Sequence, residues 1–502
     1  MSEILIQALQ NPALYPHPVT TFEVIQTHLS WVILTGDYAY KIKKPLNLGF
    51  QDFTTLEKRK YYCELEIILN KRLAPQIYIE ALAITGSAAH PKFNDKEEAF
   101  EYAIKMHQFP QQALLGELAK KSKLTKRNIE DIAEQIAKFH LEAPICSMHR
   151  LWGRPEEVFA PIQDNFNALN ELKVAKPYID TLSHIEKWAK NQYKKLQPFL
   201  MQRKTGEFIR ACHGDLHLGN IVMIKNKPVI FDCIEFNESF RWTDVMNDVS
   251  FLAMDLEHHH LNDLSHLFVN HYLEHTGDYG GAILLKFYQC YRSMVRAKIC
   301  ALQLMQLNET DPLVASLQED LKDLLSLAKR YTQNRVPTLT ITFGVSGSGK
   351  TTHTEQLLMQ QDAIRLRSDV IRKQMHGISP YSLITDEQKE KIYSSQATQS
   401  LYHKLQMLAQ ILLQNELDVI IDATCIKQWQ RQLFIELAAQ LNVSLKILAF
   451  DISKDILQQR IAQRTALKQD PSDADNAVLE LQLSSIEPLT EEEKQFMELI
   501  RG

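Results

Sequence analysis

Two stretches of this 502-residue chain carry side chains whose types and spacing suit chemistry. The first is His213-Gly214-Asp215-Leu216-His217-Leu218-Gly219-Asn220, followed by an apolar run, Ile221-Val222-Met223-Ile224. Asp232 comes next, at the end of a second apolar run, Val229-Ile230-Phe231. Moving a phosphoryl group requires a carboxylate to accept a hydroxyl proton and oxygen ligands for the magnesium on the nucleotide phosphates. An Asp with an Asn five residues later, then a strand-borne Asp, supplies all three from one loop and one hairpin. Asp215 is the candidate base, and Asn220 and Asp232 are the candidate metal ligands. A polar turn between two strands would also be rich in Gly, Asp and Asn. Eight residues in this order plus the later Asp exceed what a turn needs.

The second stretch is Gly344-Val345-Ser346-Gly347-Ser348-Gly349-Lys350-Thr351, with Thr352 opening a helix. It follows Thr338–Phe343, which alternates like a strand. This is G-x-x-x-x-G-K-T in its strand–loop–helix setting, a phosphate-binding loop. Gly344, Gly347 and Gly349 let backbone N–H groups, with Ser346, Ser348 and Thr352 among them, ring the phosphates. The helix N-terminus adds a favourable field. Lys350 reaches the outer phosphates and Thr351 the magnesium. ATP and Mg2+ are therefore the expected cofactors of both stretches.

Two further acids follow strand-like runs. Ala363–Leu366 leads to Arg367-Ser368-Asp369, and Asp418–Asp422 leads to Ala423-Thr424. Open parallel sheets bind ligands at such strand ends. Asp369 could take a proton from a substrate hydroxyl and Asp422 could orient the metal through water. A helix cap and a turn residue are the plainer alternatives. Arg372 and Arg431 are candidate substrate ligands or solvated helix residues. Arg460 and Arg464 lie four apart on a helical stretch before the polar segment 466–475. Arg464 is the preferred lid arginine, to neutralise the transferred phosphate.

The elements around the first stretch read as a small sheet and a helical region. Phe22–Ile25, Trp31–Leu34 and Tyr38–Lys43 read as strands, with Thr35-Gly36-Asp37 as a turn. Alternation puts Ala39, Lys41 and Lys43 on one face. Thr54–Leu73 reads as a helix carrying Glu64 and Glu66, and Tyr102–Met106 as a further strand. Helical patterns cover 125–142, 181–195, 244–260 and 287–306. Arg292 and Arg296 share a face of the last, either to meet an anionic substrate or as a solvated face. His258, His259 and His260 point about 100° apart on a helix, too divergent for one metal ion.

The first stretch resembles the catalytic loop of aminoglycoside phosphotransferases and related protein-kinase-like small-molecule kinases, H-G-D-x-H-x-x-N. The resemblance implies Lys41 on the phosphates, with Lys43 as runner-up. It implies a pinning Glu, with Glu66 preferred over Glu64, and Asp248 as the acid that steadies the catalytic loop. Gln26–Ser30 occupies the place of a glycine-rich phosphate cover but has no glycine. The second stretch, with Asp369, resembles P-loop small-molecule kinases: gluconate kinases, zeta toxins and the kinase domain of polynucleotide kinase. The whole chain is similar to bacterial fusions of the two.

The expected fold is an α+β protein-kinase-like bilobal domain over residues 1–335, then an α/β P-loop NTPase domain with a parallel sheet over 336–502. The polar stretch 328–337 marks the boundary. The expected function is phosphotransfer from ATP to hydroxyl groups of small molecules at two sites. The alternatives are that one half senses nucleotide to regulate the other, or that the P-loop half acts on nucleic-acid ends. A net charge of −5 argues against a nucleic-acid partner, though a local basic groove is left open. Seven scattered cysteines with no C-x-x-C pair indicate neither a zinc knuckle nor a disulfide framework. A reduced, cytoplasmic setting follows. No leader pattern and no run of eighteen apolar residues is read, so no membrane partner is expected.

Overall fold

The alternating strands before Lys44 pair as a meander. β1 (Glu23–Gln26), β2 (Ser30–Leu34) and β3 (Tyr38–Lys43) are antiparallel neighbours. Gly36, at φ 100°, turns β2 into β3. β4 (Tyr78–Ser87), β5 (His90–Phe93) and β6 (Ala99–His107) complete a six-stranded antiparallel sheet in the order β1-β2-β3-β6-β4-β5. In this computed structural model residues 2–47, 49, 51–382, 384–467 and 475–501 are described, with the backbone alone at 2 and 464–467.

The helix Leu56–Asn70 starts at Thr55, whose hydroxyl accepts the Lys58 N–H at 3.3 Å. Its buried Cys63 and Ile67 pack with Tyr78, Ile104, Val222 and Val229 in one apolar cluster. That cluster ties the helix to the sheet and to a second, smaller hairpin, β8 (Ile221–Ile224) and β9 (Lys227–Ile230). Lys225 and Asn226 both adopt positive φ, 50° and 63°, the geometry of a two-residue hairpin turn. Between the two sheets in sequence lie helices, among them Lys126–Glu142 and Ile179–Thr205, and β7 (Ile209–Ala211). β10 (Trp242–Asp244) pairs with β7, and the helix Val245–His258 follows. Antiparallel sheet first and helices after make this an α+β arrangement.

The later strands form a parallel sheet. β11 (Thr338–Phe343), β12 (Ala363–Arg367), β13 (Asp418–Asp422), β14 (Ser444–Asp451) and β15 (Met497–Arg501) lie in the order β12-β13-β11-β14-β15. The helices Lys350–Gln360, Ser395–Gln414 and Gln428–Leu441 connect them, as an α/β P-loop fold requires.

The chain packs as two compact units that interleave in sequence. The first holds residues 1–131, 139–255 and 294–321; the second holds 132–138, 256–293 and 322–502. The helix Asn262–Thr276 thus belongs with the parallel sheet. Its Asn270 side chain accepts the Arg365 N–H at 2.7 Å and donates to the Ala363 carbonyl at 2.9 Å. The amide stands in for the strand that β12 lacks at its outer edge. No described helix is long and apolar enough to cross a membrane.

Candidate active sites

In the first unit, β3 and the helix Leu56–Asn70 bring two lysines onto one carboxylate. Lys41 Nζ lies 2.8 Å from Glu66 Oε1, and Lys43 Nζ lies 2.5 Å from Glu66 Oε2. Strand alternation sends both lysines inward, and the helix turns Glu66 inward while Glu64 is exposed. The lysines then diverge. Lys43 is fully buried and pairs with Glu235, whereas Lys41 keeps some exposure and reaches Asp232 Oδ1 at 2.6 Å. Burial opposes ionisation of Glu66, but the two ammonium groups outweigh it and hold its pKa at about 2. For Glu235 burial wins, pushing it up to about 7 against the pull of Lys43 and with a further push from Glu66.

The loop His213–Asn220 is held from beneath. Asp248 accepts the His213 N–H at 2.7 Å on one oxygen and the Gly214 N–H at 2.9 Å on the other. Asp255 takes the Leu218 N–H at 2.8 Å. Burial pulls the His213 pKa below its ordinary value, favouring a neutral ring. Its partners fix the tautomer: Nε2 donates to the Phe231 carbonyl at 2.9 Å and Nδ1 accepts the Asp215 N–H at 3.3 Å. His140, Cys212 and Asp248 place ligand atoms within 4.8 Å of one another. The backbone bonds to Asp248 already give that cluster a structural role.

The small hairpin then joins the candidate ligands. Ile221 pairs with Ile230, so Asn220 and Phe231 are neighbours, and the Phe231 N–H donates to the Asn220 carbonyl at 2.9 Å. Asn220 Nδ2 donates to the Asp215 carboxylate at 3.0 Å and to its carbonyl at 2.9 Å. Asn220 Oδ1 has no hydrogen-bond donor among the described residues. Asp232 sits just past β9 at φ 64°, a left-handed conformation for a non-glycine residue. Asp215 and Asp232 are both part-exposed. Lys41, Glu66 and Asp232 form one bonded chain, and Asp215 with Asn220 forms another.

The turn between β1 and β2 closes on itself. Thr27 Oγ1 accepts the N–H groups of Leu29 at 3.3 Å and Ser30 at 2.9 Å, and the Thr27 N–H donates to the Ser30 carbonyl. Three of its backbone donors are thereby used internally, so they are not offered to a phosphate.

In the second unit the phosphate loop joins β11 to the helix Lys350–Gln360, which begins two residues before the expected Thr352. Gly347 and Gly349 have φ 82° and 89°. A Cβ at Gly344 would stand 2.9 Å from Ser348 Oγ, so the loop is wound as tightly as glycine allows. Lys350 Nζ folds back over it to the Val345 carbonyl at 2.8 Å. Glycines at positive φ, a lysine over the loop and a threonine at the helix start fit a nucleotide phosphate chain with its magnesium.

The loop lines a cleft of about 1350 Å³. Thr351, Thr352, Asp369 and Asp422 line it too. Asp422 ends β13 and accepts from Thr354 Oγ1 at 3.2 Å. Asp369 lies in the first turn of the helix Ser368–Met375, half-buried, with no hydrogen bond to its carboxylate among the described residues. Arg372 is anchored through Nη1 to the Ile392 carbonyl at 2.6 Å and stacks on Tyr393. Arg431 is not a substrate ligand. It is fully buried, with both Glu493 oxygens and the carbonyls of Cys425, Glu487 and Pro488 on its guanidinium. Arg292 is likewise buried. The side chain of Arg464 and most of the segment 466–475 lie outside the described residues. Arg460 comes close to the loop: its Nη1 stands 3.3 Å from where a Gly349 Cβ would be.

Residues 339–489 match the family model described as an AAA domain. Those residues are an AAA-type P-loop domain. Over the longer span, an uncharacterized protein of Mycobacterium tuberculosis strain H37Rv is 28% identical across 458 residues, covering 89% of this chain and 88% of the relative. Among solved structures, a choline/ethanolamine kinase family protein from Mesorhizobium loti is similar with a TM-score of 0.37 and 12% identity. It covers 66% of this chain and 99% of its own. A gluconokinase from Sinorhizobium meliloti is similar with a TM-score of 0.23 and 20% identity, covering 34% of this chain and 84% of its own. The AAA-domain match agrees with the phosphate loop that the structure places between β11 and the helix Lys350–Gln360.

Sequence reasoning missed Glu235, Asp255, Glu274, Arg365 and Arg367. The only local signal was charge inside apolar runs, as in Ala363-Ile364-Arg365-Leu366-Arg367, where buried arginines demand a counter-ion from elsewhere.

Proposed function

We propose that the chain is an ATP- and magnesium-dependent phosphotransferase with two nucleotide sites, each acting on a hydroxyl group of a small molecule. The sequence portions are residues 1–335 and 336–502. The supporting observation is the lysine–acid chain of the first unit: Lys41 between Glu66 and Asp232, with Asn220 on Asp215 beside it. When bound, magnesium neutralises charge on the phosphates. Asn220 Oδ1 and Asp232 would hold it at the first site, and Thr351 with Asp422 at the second.

At the first site Asp215 accepts the proton of the substrate hydroxyl. That oxygen bonds to the terminal phosphorus as the bond to the bridging oxygen breaks, leaving ADP. Asn220 Nδ2 orients the Asp215 carboxylate, and Glu66 keeps Lys41 charged and aimed at the phosphates. At the second site Asp369 takes the hydroxyl proton. Lys350 leaves the Val345 carbonyl for the outer phosphates, and Arg464 neutralises the transferred group. Seven buried free cysteines fit the proposed cytoplasmic setting.

The self-closed Thr27 turn favours a second reading, in which the first site senses nucleotide without turning it over. Labelled ATP offered with a metabolite pool tests both. Label transfer lost in part in Asp215→Ala and in part in Lys350→Ala supports two sites. Transfer unchanged in Asp215→Ala leaves sensing, and no transfer by the unaltered protein refutes the proposal.

A further inference from the structure

β12 is an edge strand, yet all five of its residues are buried, two arginines included. The counter-ion is Glu274, on the helix Asn262–Thr276, far upstream of the AAA domain in sequence and within the same compact unit. Glu274 is fully buried. Its Oε1 accepts from Arg365 Nε at 3.1 Å and Nη2 at 2.7 Å. Its Oε2 accepts from Arg367 Nη1 at 3.2 Å and from the Tyr381 hydroxyl at 3.4 Å. Asn270, bonded to the β12 backbone, and His266 Nδ1, 3.0 Å from the Leu358 carbonyl, seat the helix that carries it.

Both arginines lead into the phosphate site. Arg365 Nη1 lies 3.3 Å from the Thr351 carbonyl. Arg367 is paired with Asp422 in the strand register, and its Nε stands 3.9 Å from Asp422 Oδ2, longer than its contact with Glu274. Arg367 therefore sits between two carboxylates and leans on Glu274.

We propose that Glu274 is a positioning residue for the metal side of the P-loop site: it holds Arg367 off Asp422 and so leaves the Asp422 charge to the magnesium. This rests on the reading of Lys350 and Asp422 given above. With Glu274 neutral, Arg367 loses the carboxylate at 3.2 Å and keeps the Asp422 carboxylate at 3.9 Å, and that pair would close. Loss of the charge then falls on the metal and not on the phosphate-binding backbone.

The test uses the full-length protein with Lys41→Ala in every arm, to weaken nucleotide binding at the first site. ADP binding is measured by calorimetry in EDTA and across a magnesium titration. Lys350→Ala should abolish the signal; if it does not, the P-loop reading itself fails and takes the inference with it. Given a Lys350-dependent signal, Glu274→Gln should raise the magnesium needed for half-maximal enhancement by roughly tenfold, the scale of losing an outer-shell partner. Metal-free ADP affinity should stay unchanged. Glu274→Gln with Arg367→Gln should restore the magnesium requirement. Equal weakening with and without magnesium, an unmoved requirement, or no suppression by Arg367→Gln overturns the proposal. If Glu274→Gln does not fold, Arg367→Gln alone decides: a requirement at or below the parent's supports it, and a raised one overturns it.

Discussion

Glu235→Gln should flatten the pH dependence of the first unit's stability. In the folded chain the Glu235 carboxyl is pushed up to about 7, against 4.5 for an ordinary Glu, because burial outweighs the pull of Lys43. A raised carboxyl binds its proton more tightly folded than unfolded. Its favourable contribution is fully present below pH 4.5 and is lost as pH rises through 7. At 1.36 kcal/mol per pH unit, the gap corresponds to about 3 kcal/mol of stability given up across that window. Gln cannot titrate, and Lys43 keeps its 2.5 Å contact with Glu66, so the remaining cost of substitution is a constant offset. Urea unfolding followed by tryptophan fluorescence reads this out. Trp31, Trp152, Trp188 and Trp242 lie in the first unit, against Trp429 alone in the second. From pH 4.5 to 7.5 the variant should gain about 3 kcal/mol on the parent. A difference between the two that stays constant across the window would refute the reasoning.

Two further substitutions probe the two sites separately. Asp248→Asn turns one acceptor of the His213 and Gly214 N–H groups into a donor, and a hydrogen bond to a charged group contributes roughly 1.5–3 kcal/mol. The melting temperature of the first unit should fall and transfer dependent on Asp215 should drop more than nucleotide affinity; equal losses in both would contradict a loop-steadying role. Gly349→Ala places a side chain at φ 89° and 3.3 Å from Arg460, so calorimetry should show ADP binding lost at the second site with the first unit's unfolding unchanged.

The local elements were legible because their causes are local. Period-two alternation marked Tyr38–Lys43 as a strand and put Lys41 and Lys43 on one face. The glycine spacing of 344–349 announced a phosphate loop, because few other backbones reach those angles. Alternation alone left Lys41 and Lys43 equivalent. Tertiary packing divided them, burying Lys43 against Glu235 and leaving Lys41 on Asp232, since the hairpin that ends at Asp232 meets β3 only after folding.

The sequence by itself determined the chemistry-bearing types, their spacing and the strands and loops that carry them. Only the tertiary structure decided which charges neutralise one another. Arg365 and Arg367 sit in an apolar strand that cannot be buried alone, and their counter-ion lies on a helix from a distant part of the chain. Burial of a charge depends on what arrives from outside its own segment, and no local pattern records that.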